Sequence, residues 1–273
     1  MIKGYRRDRG ALGARNRILV LPSVVCSGLA ATQIASDDAI AVTHQHGCAV
    51  VGDDVEHTAE IFSGVAGNPN IAGALVVGLG CETIQGADVA RRIALSGQNV
   101  RYVGVQAEGG TARTVERGRE LVQELRAQAD AAVREPADEA KLMLGLDDAR
   151  APFTEALRSL AEAAGARLLV AEDGRGAEQH PELAARGAQI IVAWCGTSEG
   201  PRGFAVCPVI SVSGDAALLD ALADDFDIDG TPAPERVAEA VWKMALATFD
   251  GQLTAAERRG ADDFHLRRLA RTM

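Results

Sequence analysis

Aromatic residues make up only 4% of the 273-residue chain, so its core has to be assembled from Ala, Val, Leu and Ile. Long apolar runs are also missing. None approaches the roughly 20 residues that cross a bilayer, and the opening Met1-Ile2-Lys3-Gly4-Tyr5-Arg6-Arg7 lacks the hydrophobic stretch of a signal peptide. A cytoplasmic protein with no membrane association is the expectation. Positive charge is in deficit, with 28 Lys and Arg against 38 Asp and Glu, a formal net charge of -10 and a pI of about 5.0. That balance disfavours nucleic acid as a partner. The five cysteines are odd in number and have no close pairs, which reads as thiols in a reducing compartment and not as a disulfide framework. Low-complexity tracts and a clean internal repeat are absent too.

What is present is a regular alternation of apolar runs and helical patterns in a chain that is 47% hydrophobic, enough to bury a full core. Arg17 to Pro22 predicts a strand and Gly28 to Ala35 a short helix. Ala39 to Val42 predicts a second strand, and Asp53 with Asp54 caps a helix running to about Gly64. Asn68-Pro69-Asn70 turns the chain into a strand at Ala74 to Leu79, a helix from Thr83 to Ser96 and a strand from Val100 to Gln106. Gly109-Gly110-Thr111 then opens a long helix whose Val122, Leu125 and Ala129 keep helical spacing. Composition turns polar and acidic from Ala131 to Ala140, which places a boundary between lobes 1–135 and 136–273. The rhythm resumes with strands at 141–145, 167–171, 189–194 and 208–212 and helices at 152–164, 181–185 and 234–249. Repeated strand and helix implies an α/β fold: two lobes of parallel sheet flanked by helices, with a Rossmann-like C-terminal lobe.

The densest chemistry lies at Thr43-His44-Gln45-His46-Gly47-Cys48, directly after the second strand. In extended backbone His44, His46 and Cys48 share one face. Cys81 and Glu82 follow another apolar run, and in a parallel sheet the ends of the two strands meet at one edge. Bland readings stand beside this one. A free cysteine after a strand is most often a small buried hydrophobe, Cys26 packs in a first helix turn, and Cys195 and Cys207 are core or loop thiols. His57, His180 and His265 sit in polar surroundings and read as solvated surface groups. Gly109-Gly110-Thr111 is also an ordinary strand-to-helix turn, and Arg15 also suits a structural pin.

Several spaced motifs carry a resemblance. Gly4-Tyr5-Arg6-Arg7-Asp8-Arg9-Gly10, Gly13-Ala14-Arg15-Asn16 and Leu19-Val20-Leu21-Pro22 resemble the start of the catalytic portion of the altronate and galactarate dehydratase family. The similarity continues in order through Cys26, His44 to Cys48, Val77 to Glu82, and Gln106 with Gly109-Gly110-Thr111, and Phe226 to Gly230 resembles an Asp-Ile-Asn-Ala-Gly segment. In the second half the family's Cys-Gly-Gly-Ser-Asp has its nearest match in Leu144-Gly145-Leu146-Asp147-Asp148. Gly176-Ala177-Glu178 keeps a Gly-Ala-Glu segment, and Trp194-Cys195-Gly196-Thr197-Ser198 replaces Thr-Gly-Arg-Gly-Thr.

The resemblance implies dehydration of a small anionic sugar acid or related hydroxy acid with a divalent metal, foremost Fe2+. It implies catalytic roles for His44, His46 and Glu82. Metal ligation falls to His46, Cys48 and Cys81, and substrate binding to Arg15, Asn16, Gln106, Gly109, Gly110 and Thr111. Imidazole titrates near neutrality and suits a base, thiolates suit iron or zinc better than magnesium, and amides at a helix start bind carboxylate. The family also implies a separate small subunit in place of an N-terminal domain, and a homodimer. Two other readings stay open: a non-catalytic, partner-dependent subunit or binding protein that kept the fold, and a sulfo-lyase acting on sulfolactate.

Overall fold

The computed structural model describes residues 1–8, 10–35, 39–48, 50–172 and 174–269. In chain order its elements are β1 (Ile2–Arg6), β2 (Leu12–Gly13), β3 (Arg17–Pro22), α1 (Gly28–Ile34), β4 (Ile40–Ala41), α2 (Asp53–Ala66), β5 (Ile71–Gly78), α3 (Gly86–Leu95), β6 (Val100–Gly104) and α4 (Thr111–Ala129). There follow β7 (Arg134–Ala137), β8 (Met143–Leu146), α5 (Thr154–Ala163), β9 (Arg167–Val170), α6 (His180–Ala185), β10 (Ile190–Trp194), β11 (Val209–Ser213), α7 (Ala216–Ala221), β12 (Ile228–Asp229), α8 (Pro234–Phe249) and α9 (Ala255–Arg259). Among the described residues no helix is long and apolar enough to cross a membrane.

Two parallel sheets organise the chain, as expected for an α/β protein. The first has the order β4-β3-β5-β6 and the second β12-β11-β10-β8-β9. Their middle strands are apolar on both faces because helices cover both sides: Ile18 to Leu21, Leu75 to Val77 and Ile190 to Ala193 are all buried. Counted from its own first strand, the second sheet runs 2-1-3-4-5, the flavodoxin-like doubly wound order, and the first sheet repeats the 2-1-3-4 part of it. Each sheet therefore has a switch point where the chain reverses direction, between β3 and β5 in the first and between β8 and β10 in the second.

The core lies in three layers. The outer face of the first sheet packs Ile18, Val20, Leu75 and Val77 against α1 and α4. The middle layer joins the lobes, with Leu19, Leu21 and Val76 of one sheet and Ile191 and Ala193 of the other closing over α2, α3 and α6. The outer face of the second sheet packs on α5 and α8.

Residues 1–8 and 10–14 enter that last layer. Ile2, Leu12 and Ala14 are buried there with Phe249 and Val241 of α8, although in sequence they precede the first lobe. They form a third, antiparallel sheet, β2-β1-β7. The polar stretch expected to separate the lobes is thus itself partly a strand, with Arg134 to Ala137 paired to Tyr5 to Ile2. Two local expectations also change. The helix α2 starts from Gly52 with no side-chain cap, and Asp53 and Asp54 sit in its first turn. The strand before the histidines ends at Ala41, so His44, His46 and Cys48 do not share a strand face.

Candidate active site

The carboxyl edge of the first sheet is built from the loops after β3, β4, β5 and β6. Hydrogen bonds lace the first three together: Val25 N–H donates to the His46 carbonyl at 2.8 Å, and Thr83 Oγ1 donates to the Cys48 carbonyl at 2.5 Å. Cys26 in the turn after β3, Cys48 after β4 and Cys81 after β5 lie at this edge, with Cys26 and Cys81 as neighbours of Cys48. All three are exposed. Desolvation, followed by the neighbouring Cys26 and Cys81, raises the Cys48 thiol above its ordinary value. Cys26, expected to pack in a first helix turn, is instead exposed and neighbours Cys48. Cys195 and Cys207 are buried in the core, and burial pushes each up to about 12.

Two of the expected catalytic groups are committed elsewhere. His44 is buried, its Nε2 donates to the Pro22 carbonyl at 2.8 Å and its Nδ1 accepts from His46 N–H at 3.2 Å. Both nitrogens are spent on backbone, and burial, with a smaller push from His46, lowers the imidazole to about 4. The Glu82 carboxylate accepts from Ser23 Oγ and from the N–H groups of Leu79, Gly80 and Gly86. Burial opposes its ionisation, but those donors outweigh burial and hold it below the usual carboxylate range. A carboxylate held ionised in this way is a poor proton donor; it organises the loop, which Gly80 turns with φ of +121°.

His46 is different. It is 3% exposed, Nδ1 lies 3.1 Å from Thr58 Oγ1, and Nε2 is buried without a hydrogen-bond partner. Burial, followed by the Arg268 guanidinium, pushes its value down, with Asp54 opposing. His46 lines a cleft of about 460 Å³ together with Gln45, Glu178, Asp262, His265 and Arg268. Among the described residues no three His, Cys, Asp or Glu side chains are grouped to hold one metal ion, so the set His46, Cys48 and Cys81 is not assembled as expected. The His46 imidazole bonds instead to Thr58.

The substrate-binding candidates divide by position. Gln106 is exposed at the same edge, its side chain lying over Gly80, where a Cβ would meet Oε1 at 2.5 Å. Gly109 and Gly110 lead into α4 there, with Thr111 as its first residue. Their own N–H groups donate to the carbonyls of Gln106 and Val105. Arg15 and Asn16 precede β3 and so lie at the opposite, amino edge. All five Arg15 N–H groups are engaged, with Glu257 and with the carbonyls of Ala14, Thr248 and Gln252, leaving none for a substrate. Asn16 accepts from Arg7 and donates to the Ala129 carbonyl.

A second polar cluster sits at the switch point of the second sheet. Asp147, directly after β8, is fully buried and pairs with Arg202 at 2.7 Å, His180 at 3.1 Å and Trp194 N–H at 2.9 Å. His180, expected at the surface, is fully buried. Polar neighbours disguise it, but Gln179, His180, Leu183 and Ala184 follow the helical spacing of one inner face.

A two-lobed α/β protein with titratable and thiol groups at the carboxyl ends of parallel strands has the architecture in which ligands generally bind at a switch point. Family models narrow that architecture to one family. The second domain of D-galactarate dehydratase/altronate hydrolase matches residues 4–130, and the C-terminal portion of D-galactarate/altronate dehydratase matches residues 151–272. The chain belongs to this family. Similarity extends to altronate dehydratase of Bacillus subtilis (strain 168), 31% identical over 156 residues, 53% of this chain and 31% of that protein. Altronate dehydratase of Escherichia coli (strain K12) is 34% identical over 93 residues, 30% of this chain and 19% of that protein. The (2R)-sulfolactate sulfo-lyase subunit beta of Chromohalobacter salexigens is 31% identical over 144 residues, 51% of this chain and 36% of that protein. The matched stretches therefore span at most 36% of these relatives' own lengths.

Proposed function

We propose that this chain supplies the catalytic lobes of a lyase that removes water from a small hydroxy carboxylate of the altronate or galactarate kind. The observation that carries the reading is that His46, whose buried Nε2 has no hydrogen-bond partner, lines a cleft together with Arg268. Arg268 supplies a positive charge for the substrate carboxylate. With Nδ1–H donated to Thr58, Nε2 offers its lone pair to the proton beside that carboxylate. The electron pair left on carbon forms the double bond as the β-hydroxyl departs as hydroxide and takes a proton. Glu82 is unsuited to donate that proton; Glu178, Asp262, Asp263 and His265 line the cleft. Thiolates suit iron in kind, but no three His, Cys, Asp or Glu among the described residues are grouped to hold one ion, so the proposed elimination rests on His46 and Arg268. The sulfo-lyase relative is named as a subunit, which supports a companion chain for this protein, and a homodimer remains the proposed assembly.

The test is formation of a 2-oxo-3-deoxy acid from altronate or galactarate, with sulfite release from sulfolactate assayed in parallel. His46→Gln is expected to lower kcat about a hundredfold or more, and the acid limb of kcat/KM should lie below the ordinary imidazole value because burial and Arg268 depress His46. A His46→Gln protein of undiminished activity removes the reading. One observation favours a non-catalytic subunit instead: His44, Glu82 and Arg15 all have structural roles that explain their presence without chemistry. No turnover of any of the three acids, alone or with a companion subunit, decides for that alternative.

A further inference from the structure

The charged side chains lining the His46 cleft are unevenly matched. Arg268 is the one Lys or Arg among the described lining residues, while Glu178, Asp262 and Asp263 are all acids. The three acids are exposed, and among the described residues neither their carboxylates nor the Arg268 guanidinium takes part in a hydrogen bond or ion pair. A carboxylate only accepts hydrogen bonds, so these three require donors that the protein does not give them. A metal ion does not explain them, since no three His, Cys, Asp or Glu among the described residues are grouped to hold one. A second observation points to a ligand in the same cleft: His46 is 3% exposed and its buried Nε2 has no hydrogen-bond partner.

The hydroxyl groups of a sugar acid are donors. A polyhydroxy chain laid along the cleft supplies them to the acceptors while its carboxylate meets Arg268. A second acidic group offers no donor and is repelled by the same carboxylates, a repulsion that salt screens only weakly over the short distances inside a cleft. We propose that the cleft selects a hydroxy acid with a single carboxylate, an aldonate, and that Glu178, Asp262 and Asp263 set this selectivity by binding its hydroxyls and turning away a second anionic group. Galactarate and sulfolactate each carry such a group, so altronate is the favoured one of the three acids. This deepens the lyase reading and rests on it only in taking the His46 cleft as the substrate site.

The experiment is calorimetric titration of the full chain with two matched pairs, galactonate with galactarate and altronate with altrarate. The members of each pair share their stereocentres and differ only in the terminal group. Each monoacid is expected to bind about tenfold or more tightly than its diacid at low salt, and the ratio should shrink at high salt as screening increases. Glu178→Gln, Asp262→Asn and Asp263→Asn combined should bring the ratio close to unity, and because these side chains are exposed and unbonded the fold should survive. Arg268→Gln should weaken both members of a pair alike and keep the ratio. Binding needs no turnover, so the two readings separate. A preserved preference without dehydration of any acid removes the lyase and keeps the selectivity, whereas dehydration with equal use of both members keeps the lyase and overturns the selectivity. Equal affinities, a preference for the diacids, no binding of either monoacid, or a ratio untouched by the triple substitution also overturns the inference.

Discussion

An imidazole that spends both nitrogens on the backbone has no lone pair left for a substrate, and that is the condition of His44 between the Pro22 carbonyl and His46 N–H. Its value of about 4 makes it a determinant of acid stability. The folded-state value lies below the unfolded one of about 6.5, so between the two the unfolded chain binds more protons. Stability from this residue is therefore complete above about pH 6.5 and is lost as pH falls towards 4, by up to about 3 kcal/mol. Urea melts at pH 7.5 and pH 4.5 are expected to show that loss in the unsubstituted protein and a smaller difference between the two pH values in His44→Gln. An equal difference in both would show that His44 does not carry the effect. His46, two positions on, differs because its side chain bonds only to Thr58, and that distinction depends on α2 arriving beside it. Sequence singled out both imidazoles; which one keeps a free nitrogen is decided by tertiary contact.

At the scale of elements, the tightest join between the lobes is α2 against α6. A Cβ on Gly64 would stand 2.6 Å from Ala185 Cβ and 2.9 Å from its Cα. Gly64→Ala gains helix propensity of about 1 kcal/mol, but the clash is with backbone that cannot rotate away, and overpacking costs about 1–3 kcal/mol. The expected outcome is a lower melting temperature, while Gly64→Ser in place of Ala should be no better; a stabilised Gly64→Ala protein would mean that the helices separate freely. The helices themselves were legible because their apolar spacing is local, as at Val122, Leu125 and Ala129. The strands β1 and β7 were not, since Ile2 and Ala137 are partners 135 positions apart and β7 carries Arg134, Glu135 and Pro136 in an otherwise polar stretch. The convergence of Cys48 with Cys81 was foreseeable from two strand ends meeting at one edge. Cys26 was harder to place, because a thiol in the turn after β3 carries no local sign of which way it faces.

For the whole molecule, the lobes are fixed by polar groups that reach across. Asn68 Nδ2 donates to the carbonyls of Ala184 and Ala188, Asn70 Nδ2 to that of Gln189, and Glu257 binds Arg15 and Arg17 at 2.7 and 2.6 Å. Ile2, Leu12 and Ala14 add an apolar tie to the second lobe. Leu12 is 3% exposed in that lobe's core, and Leu12→Ala is expected to cost about 2–5 kcal/mol. Hydrogen exchange locates the loss: protection should fall at Val241 to Phe249 and Leu144 to Leu146, far along the chain from the substitution. A loss confined to β3 and β5 would contradict the packing.

During synthesis the ribosome releases Ile2 and Leu12 long before Val241 and Phe249 exist to cover them. This segment is thus among the last to be seated, and its apolar side chains stay uncovered while more than 200 residues are added. Cotranslational completion of the first lobe alone leaves this strap loose, so the productive order of folding closes α8 back on a segment made long before it, and a nascent-chain chaperone has a defined stretch to shield.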